Sequence, residues 1–377
     1  MIRERGPLTV AAFMDLALYD SELGYYARAA QRSGRAGDFF TSVDVGPLFG
    51  ELLEIQLAEM HRLLQTSDFE LPTFDLVEAG AGNGRLSADI LRAAKRRDPA
   101  FYEAIRLHLV EASAEARRAH AGTLGDVADR LGSSGPVLPD SFEGVLIANE
   151  LLDALPVHQV VMRDEGLREV YVDAARGSQP RDRGPERAAL QLVEGPLSTP
   201  ALAEYLDRLG VTLEPGWHVE INLRAVDWIR DAARRLRRGF IILIDYGHDA
   251  RELYSATHSA GTLTTFVKHR SGGPEGSQDT PAWLQQPGDQ DLTAHVDFTS
   301  VRAAAEAEGL TMIGFLDQTY FLLGLVEGLE LSDVRARLAL KTLVMPGGIG
   351  STHKVLILGR DVGAPALRGC SFRMRVT

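Results

Sequence analysis

The chain of 377 residues has a single cysteine, Cys370. One thiol excludes an internal disulfide and leaves no cysteine cluster that could bind zinc. No apolar run approaches the length needed to span a bilayer, so we expect no membrane insertion. The N-terminal residues lack the apolar core of a secretory signal and carry early acidic residues that are unusual in a transit peptide. A reducing, cytoplasmic location is therefore expected.

Positive charge is also scarce. Lysine and arginine number 40 against 52 aspartates and glutamates, which gives a formal net charge of −12. A general nucleic-acid binder needs a basic face, so we expect no nucleic-acid partner. A hydrophobic share of 45% and a charged share of 24% are typical of a soluble globular protein whose length allows a large core.

The most informative segment is Glu78-Ala-Gly-Ala-Gly-Asn-Gly84. A short apolar run precedes it, and an amphipathic helical pattern over 85–96 follows, so the glycines are predicted to form a turn between a strand and a helix. Such a turn is the cofactor-binding corner of doubly wound α/β folds. The dinucleotide motif G-x-G-x-x-G would need its last glycine at the position of Arg85. The spacing of Gly80, Gly82 and Gly84 therefore favours S-adenosylmethionine (SAM) over NAD, and an ordinary turn without a ligand is the plain alternative.

A second apolar strand ends in the carboxylate Glu111. In a right-handed βαβ unit the ends of the two strands lie side by side. A carboxylate there can accept both hydroxyls of an adenosine ribose, although NAD enzymes share this feature. Glu111 is thus predicted to bind the cofactor with Glu78 and the three glycines.

Strands and helices then alternate, which predicts a doubly wound, mostly parallel sheet covered by helices on both faces. Strands are predicted over 74–78, 107–111, 144–148, 239–245 and 354–359, and helices over 85–96, 113–131, 223–237, 298–308 and 330–341. A hairpin over 158–172 interrupts this alternation. We expect an N-terminal helical lid over 1–70 and a catalytic α/β domain over 71–377. Insertions after the fourth and fifth strands are expected at about 157–215 and 248–296.

The segment Asn149-Glu-Leu-Leu-Asp153 follows the fourth predicted strand. The carboxyl ends of strands line the ligand crevice of open α/β sheets. Asn149 can donate and accept hydrogen bonds, and Glu150 and Asp153 can accept a proton from a nucleophilic nitrogen. These three residues are the predicted catalytic residues, with Asn149 also contacting the cofactor. The alternative is that Asn149 and Asp153 only cap the next helix.

Two further polar segments have predicted roles. Thr41 and Ser42 follow an aromatic and glycine-rich stretch that includes Phe39, and we expect this segment to close over the cofactor as a lid. His295 and Asp297 could bind a metal only with further ligands, and the sequence shows none nearby. We therefore expect no metal, and expect His295 and Asp297 to form a structural hydrogen bond or a pair near the substrate.

In order along the chain, these motifs resemble the MidA and complex I assembly methyltransferase family. The resemblance covers nearly the whole chain, and its most specific strings are Asn149-Glu-Leu-Leu-Asp-Ala-Leu-Pro156 and Asp291-Leu-Thr-Ala-His-Val-Asp-Phe298. Three departures from the family pattern stand out. Ala81 replaces a proline, Val43-Asp44 replaces Pro-Glu, and Ser351-Thr-His353 stands where a phenylalanine is usual.

The resemblance implies a class I, Rossmann-like SAM-dependent methyltransferase that modifies an arginine of a protein. It further implies S-adenosylhomocysteine as product and a respiratory complex I subunit as the substrate of the mitochondrial members. A homodimer is compatible with this. Two alternatives stay open from the residues themselves: a non-catalytic assembly factor that retains the fold, and an NAD-dependent oxidoreductase.

Overall fold

A computed structural model describes most of the chain. The described residues are Ile2 and the ranges 6–27, 41–65, 73–175, 189–267, 270–272, 281–327, 333–345 and 352–372. The chain folds into two compact units, each built from three separate segments. The α/β unit comprises 30–152, 227–247 and 301–377, and the β-rich unit comprises 1–29, 153–226 and 248–300.

The α/β unit is built on a large twisted sheet. Its strands are β1 (Phe74–Ala79), β2 (Ile105–Val110), β3 (Leu131–Gly135), β4 (Phe142–Asn149), β5 (Leu236–His248), β6 (Thr311–Asp317) and β7 (His353–Arg360). They lie in the order β6-β7-β5-β4-β1-β2-β3. Strand β7 is antiparallel to β5 and β6, and the other neighbouring pairs are parallel. The mostly parallel α/β sheet predicted from the sequence is therefore confirmed.

The register brings three strand ends to one level. Ala79 of β1 pairs with Val110 of β2 on one side and with Ala148 of β4 on the other. The strand order reverses between β1 and β4, and ligands bind at such a switch point in open α/β sheets. The residues that follow β1, β2 and β4 therefore emerge together at the carboxyl edge of the sheet.

Helices cover this sheet because their apolar faces match its buried strands. Every residue of β1 is buried. Over both units, the helices of the described residues are Val10–Tyr19, Leu48–Leu64, Arg85–Arg97, Pro99–Ala104, Ala114–Leu124, Ala201–Leu209, Leu223–Arg235, Ala250–Leu253, Phe298–Ala307, Gln318–Val326 and Val334–Val344. A Cβ atom on Gly50 would lie 2.7 Å from Cβ of Asp89, so glycine allows Leu48–Leu64 to pack closely on Arg85–Arg97. Among the described residues, no helix combines the length and the apolar character needed to cross a membrane.

The β-rich unit contains two antiparallel sheets. One has the strands Leu8–Thr9, His158–Arg163, Gly166–Ala174, Leu190–Gly195 and His218–Ile221. The other has Thr264–Val267, Arg270–Gly272 and Asp291–Thr293. The predicted hairpin is confirmed, since Arg163 pairs with Gly166 across a two-residue turn.

Several elements differ from the sequence prediction. The helix predicted over 113–131 ends at Leu124, because Gly125 adopts a φ of +54°, and the edge strand β3 follows. The helix Gln318–Val326 was not predicted. The compact units also divide the predicted lid 1–70, with 1–29 in one unit and 30–70 in the other. Phe39 and parts of the two predicted insertions lie outside the described residues.

Candidate functional site

The glycine loop leaves the end of β1 with three left-handed residues. Gly80, Gly82 and Gly84 have φ values of +72°, +51° and +84°, a region that suits glycine and few other residues. The backbone N–H groups of Gly80 and Ala81 donate to the carbonyl of Val110 at 2.9 and 3.1 Å. The sequence therefore needs its alternate glycines here, and the loop is fixed to the end of β2.

The three glycines differ in what surrounds them. A Cβ atom on Gly80 would lie 3.1 Å from Leu151, and one on Gly84 would lie 3.2 Å from Leu109. A Cβ atom on Gly82 would have nothing within 4 Å among the described residues. Gly80 and Gly84 thus allow close packing inside the protein, whereas Gly82 leaves backbone open on its outer side. An open backbone face is what a ligand lying along the loop requires.

Glu111 is joined directly to this loop. Its Oε2 accepts the N–H of Gly82 at 2.9 Å, and its Oε1 accepts the N–H of Ser113 at 2.8 Å. Each carboxylate oxygen has a second lone pair that can accept another donor. The structure thus brings Glu111 and Gly82 together as predicted, and the ribose-binding role of Glu111 stays a prediction.

Glu78 points inward from the same loop. Its carboxylate is buried and accepts the N–H of Ser87 at 3.2 Å and the hydroxyl of Ser87. Ser87 lies in the first turn of helix Arg85–Arg97, so Glu78 satisfies a free backbone donor of that turn. Burial, opposed by the Ser87 hydrogen bonds and reinforced by the charge of Glu111, raises the pKa of Glu78 to about 7. Glu78 therefore supports the loop from behind.

His120 supports the loop in a way that the sequence did not reveal. Its ring is buried, with Nε2 2.8 Å from the carbonyl of Gly82 and Nδ1 2.9 Å from the hydroxyl of Ser134. A neutral imidazole that donates from Nε2 to Gly82 can accept from Ser134 at Nδ1. Nothing in the local sequence distinguishes this histidine, because the contact joins residues 38 positions apart.

The segment that contains Thr41 is attached to the helix after the glycine loop. Asp44 accepts hydrogen bonds from the backbone N–H and the hydroxyl of Thr41 at 3.1 and 3.0 Å. The other oxygen of Asp44 lies 3.1 Å from the guanidinium of Arg85. Ser42 is buried and bonds to Gln318. Thr41 and Ser42 thus lie in the unit that holds the glycine loop, and the aromatic and glycine-rich stretch just before them lies outside the described residues.

Asn149 and Glu150 follow β4 at the switch point. Nδ2 of Asn149 donates to Oε1 of Glu150 at 3.1 Å. Oδ1 of Asn149 is buried and accepts no hydrogen bond from any described residue. Glu150 has a φ of +52°, which is unusual for a residue with a side chain. A buried acceptor without a donor and a strained backbone are both common at ligand-binding sites.

Asp245 fixes the backbone that follows Glu150. It lies on β5 and is buried, and its Oδ2 accepts the N–H groups of Leu151 and Leu152 at 3.1 and 2.7 Å. Burial raises the pKa of Asp245 to about 7, the charge of Glu150 adds to this rise, and His353 opposes it. Asp245 thus fixes the turn after β4.

His353 on β7 completes this group of side chains. It is fully buried, and Nε2 lies 3.6 Å from Oε1 of Glu150. Its ring lies 3.8 Å from the ring of Tyr246, centre to centre. The sequence had marked His353 only as a departure from the family pattern. The structure shows that this departure places an acid–base group beside the predicted catalytic carboxylate.

Asp153 belongs to the β-rich unit. Its side chain is buried, and its backbone carbonyl accepts the N–H of Ala294 at 3.0 Å. The catalytic role assigned to Asp153 from the sequence stays a prediction. The structure groups Asn149 and Glu150 with the glycine loop in the α/β unit.

His295 and Asp297, predicted as a pair, have different partners. Asp297 accepts hydrogen bonds from Tyr205 at 2.8 Å and from Ser300 at 2.6 Å. His295 lies beside His248 and His258, which the sequence did not show as neighbours. Burial and the two other rings lower the pKa of His295 to about 4, so that this ring is neutral at pH 7.

The residues at the switch point fit SAM. Gly82 offers an open backbone face, Glu111 has acceptor positions beside it, and Asn149 offers an unused buried acceptor to a donor such as an amino group. Gly80, Gly82, Gly84, Glu111 and Asn149 would hold the cofactor along the carboxyl edge of β1, β2 and β4. The glycines do not have the G-x-G-x-x-G spacing that binds the pyrophosphate of a dinucleotide.

Comparison with known proteins agrees with this geometry. Residues 52–316 match the family described as "Putative S-adenosyl-L-methionine-dependent methyltransferase". The mouse protein arginine methyltransferase NDUFAF7, mitochondrial, is 32% identical over 96% of this chain and 78% of its own length. The human protein of the same name is 30% identical over 96% of this chain and 77% of its own length.

A solved structure also matches the whole fold. A "likely methyl transferase" from Burkholderia thailandensis, bound to S-adenosyl-homocysteine, superposes with a TM-score of 0.84 at 28% identity. The match covers 98% of this chain and 92% of that protein. The arrangement of strands and helices is therefore that of a class I SAM-dependent methyltransferase, as the sequence predicted.

Proposed function

The chain belongs to the S-adenosyl-L-methionine-dependent methyltransferase family and is an enzyme of that class, and we propose that it methylates an arginine side chain of a protein. The observation that carries this proposal is the carboxylate of Glu150, held at the switch point by Asn149 and lying beside His353. The names of the mouse and human relatives, which are protein arginine methyltransferases, support it.

Arginine is a difficult nucleophile because its guanidinium stays protonated in water. A negative charge beside one nitrogen draws the positive charge of the group towards that nitrogen and leaves electron density on another nitrogen for the new N–C bond. Glu150 supplies this charge, and its hydrogen bond from Asn149 fixes the direction of the carboxylate. Since orientation lowers the barrier to such a displacement, a fixed carboxylate is more effective than a mobile one.

When bound, SAM supplies the methyl group on a positively charged sulfur. The arginine gains this methyl group and must lose one proton to end as a methylated guanidinium. Glu150 accepts that proton, and the imidazole of His353, 3.6 Å away, can take it further. Asp245 holds the turn after β4, which keeps Glu150 in place while its charge changes.

The substrate proposed first is a subunit of respiratory complex I, which is the substrate that the family resemblance implies. We place the enzyme in the cytoplasm, where the single cysteine and the acidic charge are compatible with a reducing, protein-rich environment. A protein substrate is compatible with the carboxylate chemistry of Glu150. A nucleic acid, by contrast, carries many negative phosphates and would be repelled by a chain with net charge −12.

The test is incubation of the purified enzyme with methyl-labelled SAM and a lysate of the source cell, followed by mass spectrometry of tryptic peptides. We expect label on arginine in one or few proteins, and loss of that label with Glu150→Gln. Label found only on a lipid, a nucleic acid or a small metabolite would contradict the arginine proposal, while leaving the SAM-dependent activity intact.

A further inference from the structure

We propose that His248, His258 and His295 form a binding site for a divalent transition metal, with Zn²⁺ as the ion of best chemical fit. One nitrogen from each of the three rings lies within 4.8 Å of the other two. The ring centres are 4.8, 5.1 and 5.8 Å apart. All three histidines lie in the β-rich unit, and none has a role in the proposed methyl transfer.

The three histidines come from separate parts of the chain. His248 ends β5, His258 ends the short helical turn Ala256–His258, and His295 precedes the strand Val296–Asp297. The backbone N–H of His295 donates to the hydroxyl of Thr262 at 3.0 Å, which fixes its position. Three segments that converge with one imidazole each make a preformed set of ligands.

Glu252 lies beside two of the rings. Its backbone carbonyl lies 3.0 Å from Nδ1 of His258, and its carboxylate lies 3.1 Å from Nδ1 of His248. When Nδ1 of His258 donates to a carbonyl, Nε2 carries the lone pair that a metal needs. Metal-binding histidines usually donate their second N–H in this way to a carbonyl or carboxylate.

His295 supplies an independent observation that points to a ligand. Its Nδ1 is buried and has no hydrogen-bond partner among the described residues. Buried polar atoms in folded proteins are almost always paired, because leaving one unpaired costs free energy. A metal ion between the three rings would satisfy this atom.

The chemistry of the ligands selects the ion. Imidazole nitrogen suits Zn²⁺ and its neighbours in the transition series, whereas Mg²⁺ and Ca²⁺ prefer oxygen. A tetrahedral zinc site with Zn–N distances of about 2.0–2.1 Å needs nitrogen atoms about 3.4 Å apart. The rings must therefore rotate inward by about an ångström, which their partial exposure allows. The half-exposed carboxylate of Glu252 or a water molecule can fill the fourth position.

The site is tested on the full-length protein after treatment with a chelator. Zn²⁺ is titrated in competition with a chromogenic chelator, and Co²⁺ is added separately to record the visible absorption of a tetrahedral site. We expect one Zn²⁺ per chain and a rise in melting temperature with added Zn²⁺. His258→Gln, on a short surface turn, should lower the affinity at least about tenfold.

His218→Gln is the matched control, because His218 is a half-buried histidine of the same unit that is not one of the three. It should bind Zn²⁺ as the wild type does. Absence of Zn²⁺ binding by the wild-type protein, or equal affinity in the wild type and in His258→Gln, would overturn the proposal. An octahedral Co²⁺ spectrum would also contradict a site made by these three rings. Neither measurement depends on methyl transfer.

Discussion

Nε2 of His353 lies 3.6 Å from Oε1 of Glu150, and both groups come from strands that run in opposite directions. The antiparallel pairing of β7 with β5 sets His353 opposite Tyr246, next to the end of β4. The last strand of the sheet thus brings His353 to the edge at which we propose that methyl transfer takes place. This relationship gives the first prediction.

Replacing His353 should slow turnover without changing the affinity for SAM. His353→Phe keeps a ring beside Tyr246 but removes both nitrogens, so we expect kcat to fall about 10- to 100-fold, as for the loss of a proton-transfer partner. The pH profile of kcat should lose one of its limbs. His353→Gln should recover part of the rate, since an amide can still bond to Glu150. Equal pH profiles in wild type and His353→Phe would show that His353 contributes only packing against Tyr246 and no proton transfer.

Glu150→Gln tests the carboxylate itself. The change removes charge but keeps shape, so binding of SAM measured by calorimetry should be unchanged while kcat falls about 10²- to 10⁴-fold. The control is Glu306→Gln, which alters an exposed glutamate paired with Arg302 on a surface helix. If Glu150→Gln retained full activity, Asn149 or Asp153 would have to carry the role proposed for it.

Gly82→Val should abolish SAM binding and leave the protein folded. The space around the new Cβ atom is open, so the substitution adds only the strain of a φ of +51°, roughly 1–2 kcal/mol. The added side chain would occupy the open backbone face to which we assign the cofactor. Gly216→Val is matched to it, since Gly216 also has a positive φ and an open Cβ position. That control should lose similar stability and keep its affinity, whereas equal affinities in the two variants would remove Gly82 from the site.

Asp44→Asn should weaken SAM binding several-fold through the turn that contains Thr41. The substitution removes the charge that joins Thr41 to Arg85 beside the glycine loop. Faster hydrogen exchange over 41–45 should accompany the weaker binding. Asp126→Asn removes an exposed ion pair with Arg92 and should change neither property. Unchanged exchange over 41–45 in Asp44→Asn would mean that the turn is held by other contacts.

Stability should fall as the pH rises from about 4.5 to 7. Burial raises the pKa of Glu78 from 4.5 to about 7, and that of Asp245 from 3.8 to about 7. Between these values the folded protein holds protons that the unfolded chain has released, so folding requires proton uptake and becomes less favourable as the pH rises. An isolated shift of this size corresponds to about 3–4 kcal/mol.

The measurement for this prediction is urea unfolding of wild type and Glu78→Gln at pH 5 and pH 8. Glutamine can still accept a hydrogen bond from Ser87 but does not ionise, so the variant should lose less stability between the two pH values. Parallel pH dependences in the two proteins would show that Glu78 is ionised in the folded state throughout this range.

The sequence was sufficient for the parts of the site that local patterns encode. Alternate glycines after a buried strand predicted the loop. The apolar runs before Glu111 and Asn149 predicted the two neighbouring strand ends. These predictions succeed because strand order and register in a βαβ unit are restricted by handedness. The match to a family of SAM-dependent methyltransferases then decided against the two alternatives, an oxidoreductase and a non-catalytic factor.

The parts that the sequence missed depend on contacts between distant residues. His120 meets Gly82 across 38 positions. His353 reaches Glu150 only because β7 inserts between β5 and β6. His248 and His258 join His295 through turns whose geometry no periodic pattern predicts. The local sequence around each of these histidines has no distinguishing pattern. Their contacts arise only when the fold brings distant segments together.

The left-handed backbone of Glu150 has a consequence for how this enzyme could be made more robust. A glycine would adopt that conformation without the strain, roughly 1–3 kcal/mol, that a residue with a side chain bears there. Screening for heat resistance alone would therefore select for the loss of the carboxylate to which we assign the proton transfer. A more stable variant must gain its stability at positions remote from the end of β4 and must keep Glu150 in its left-handed conformation.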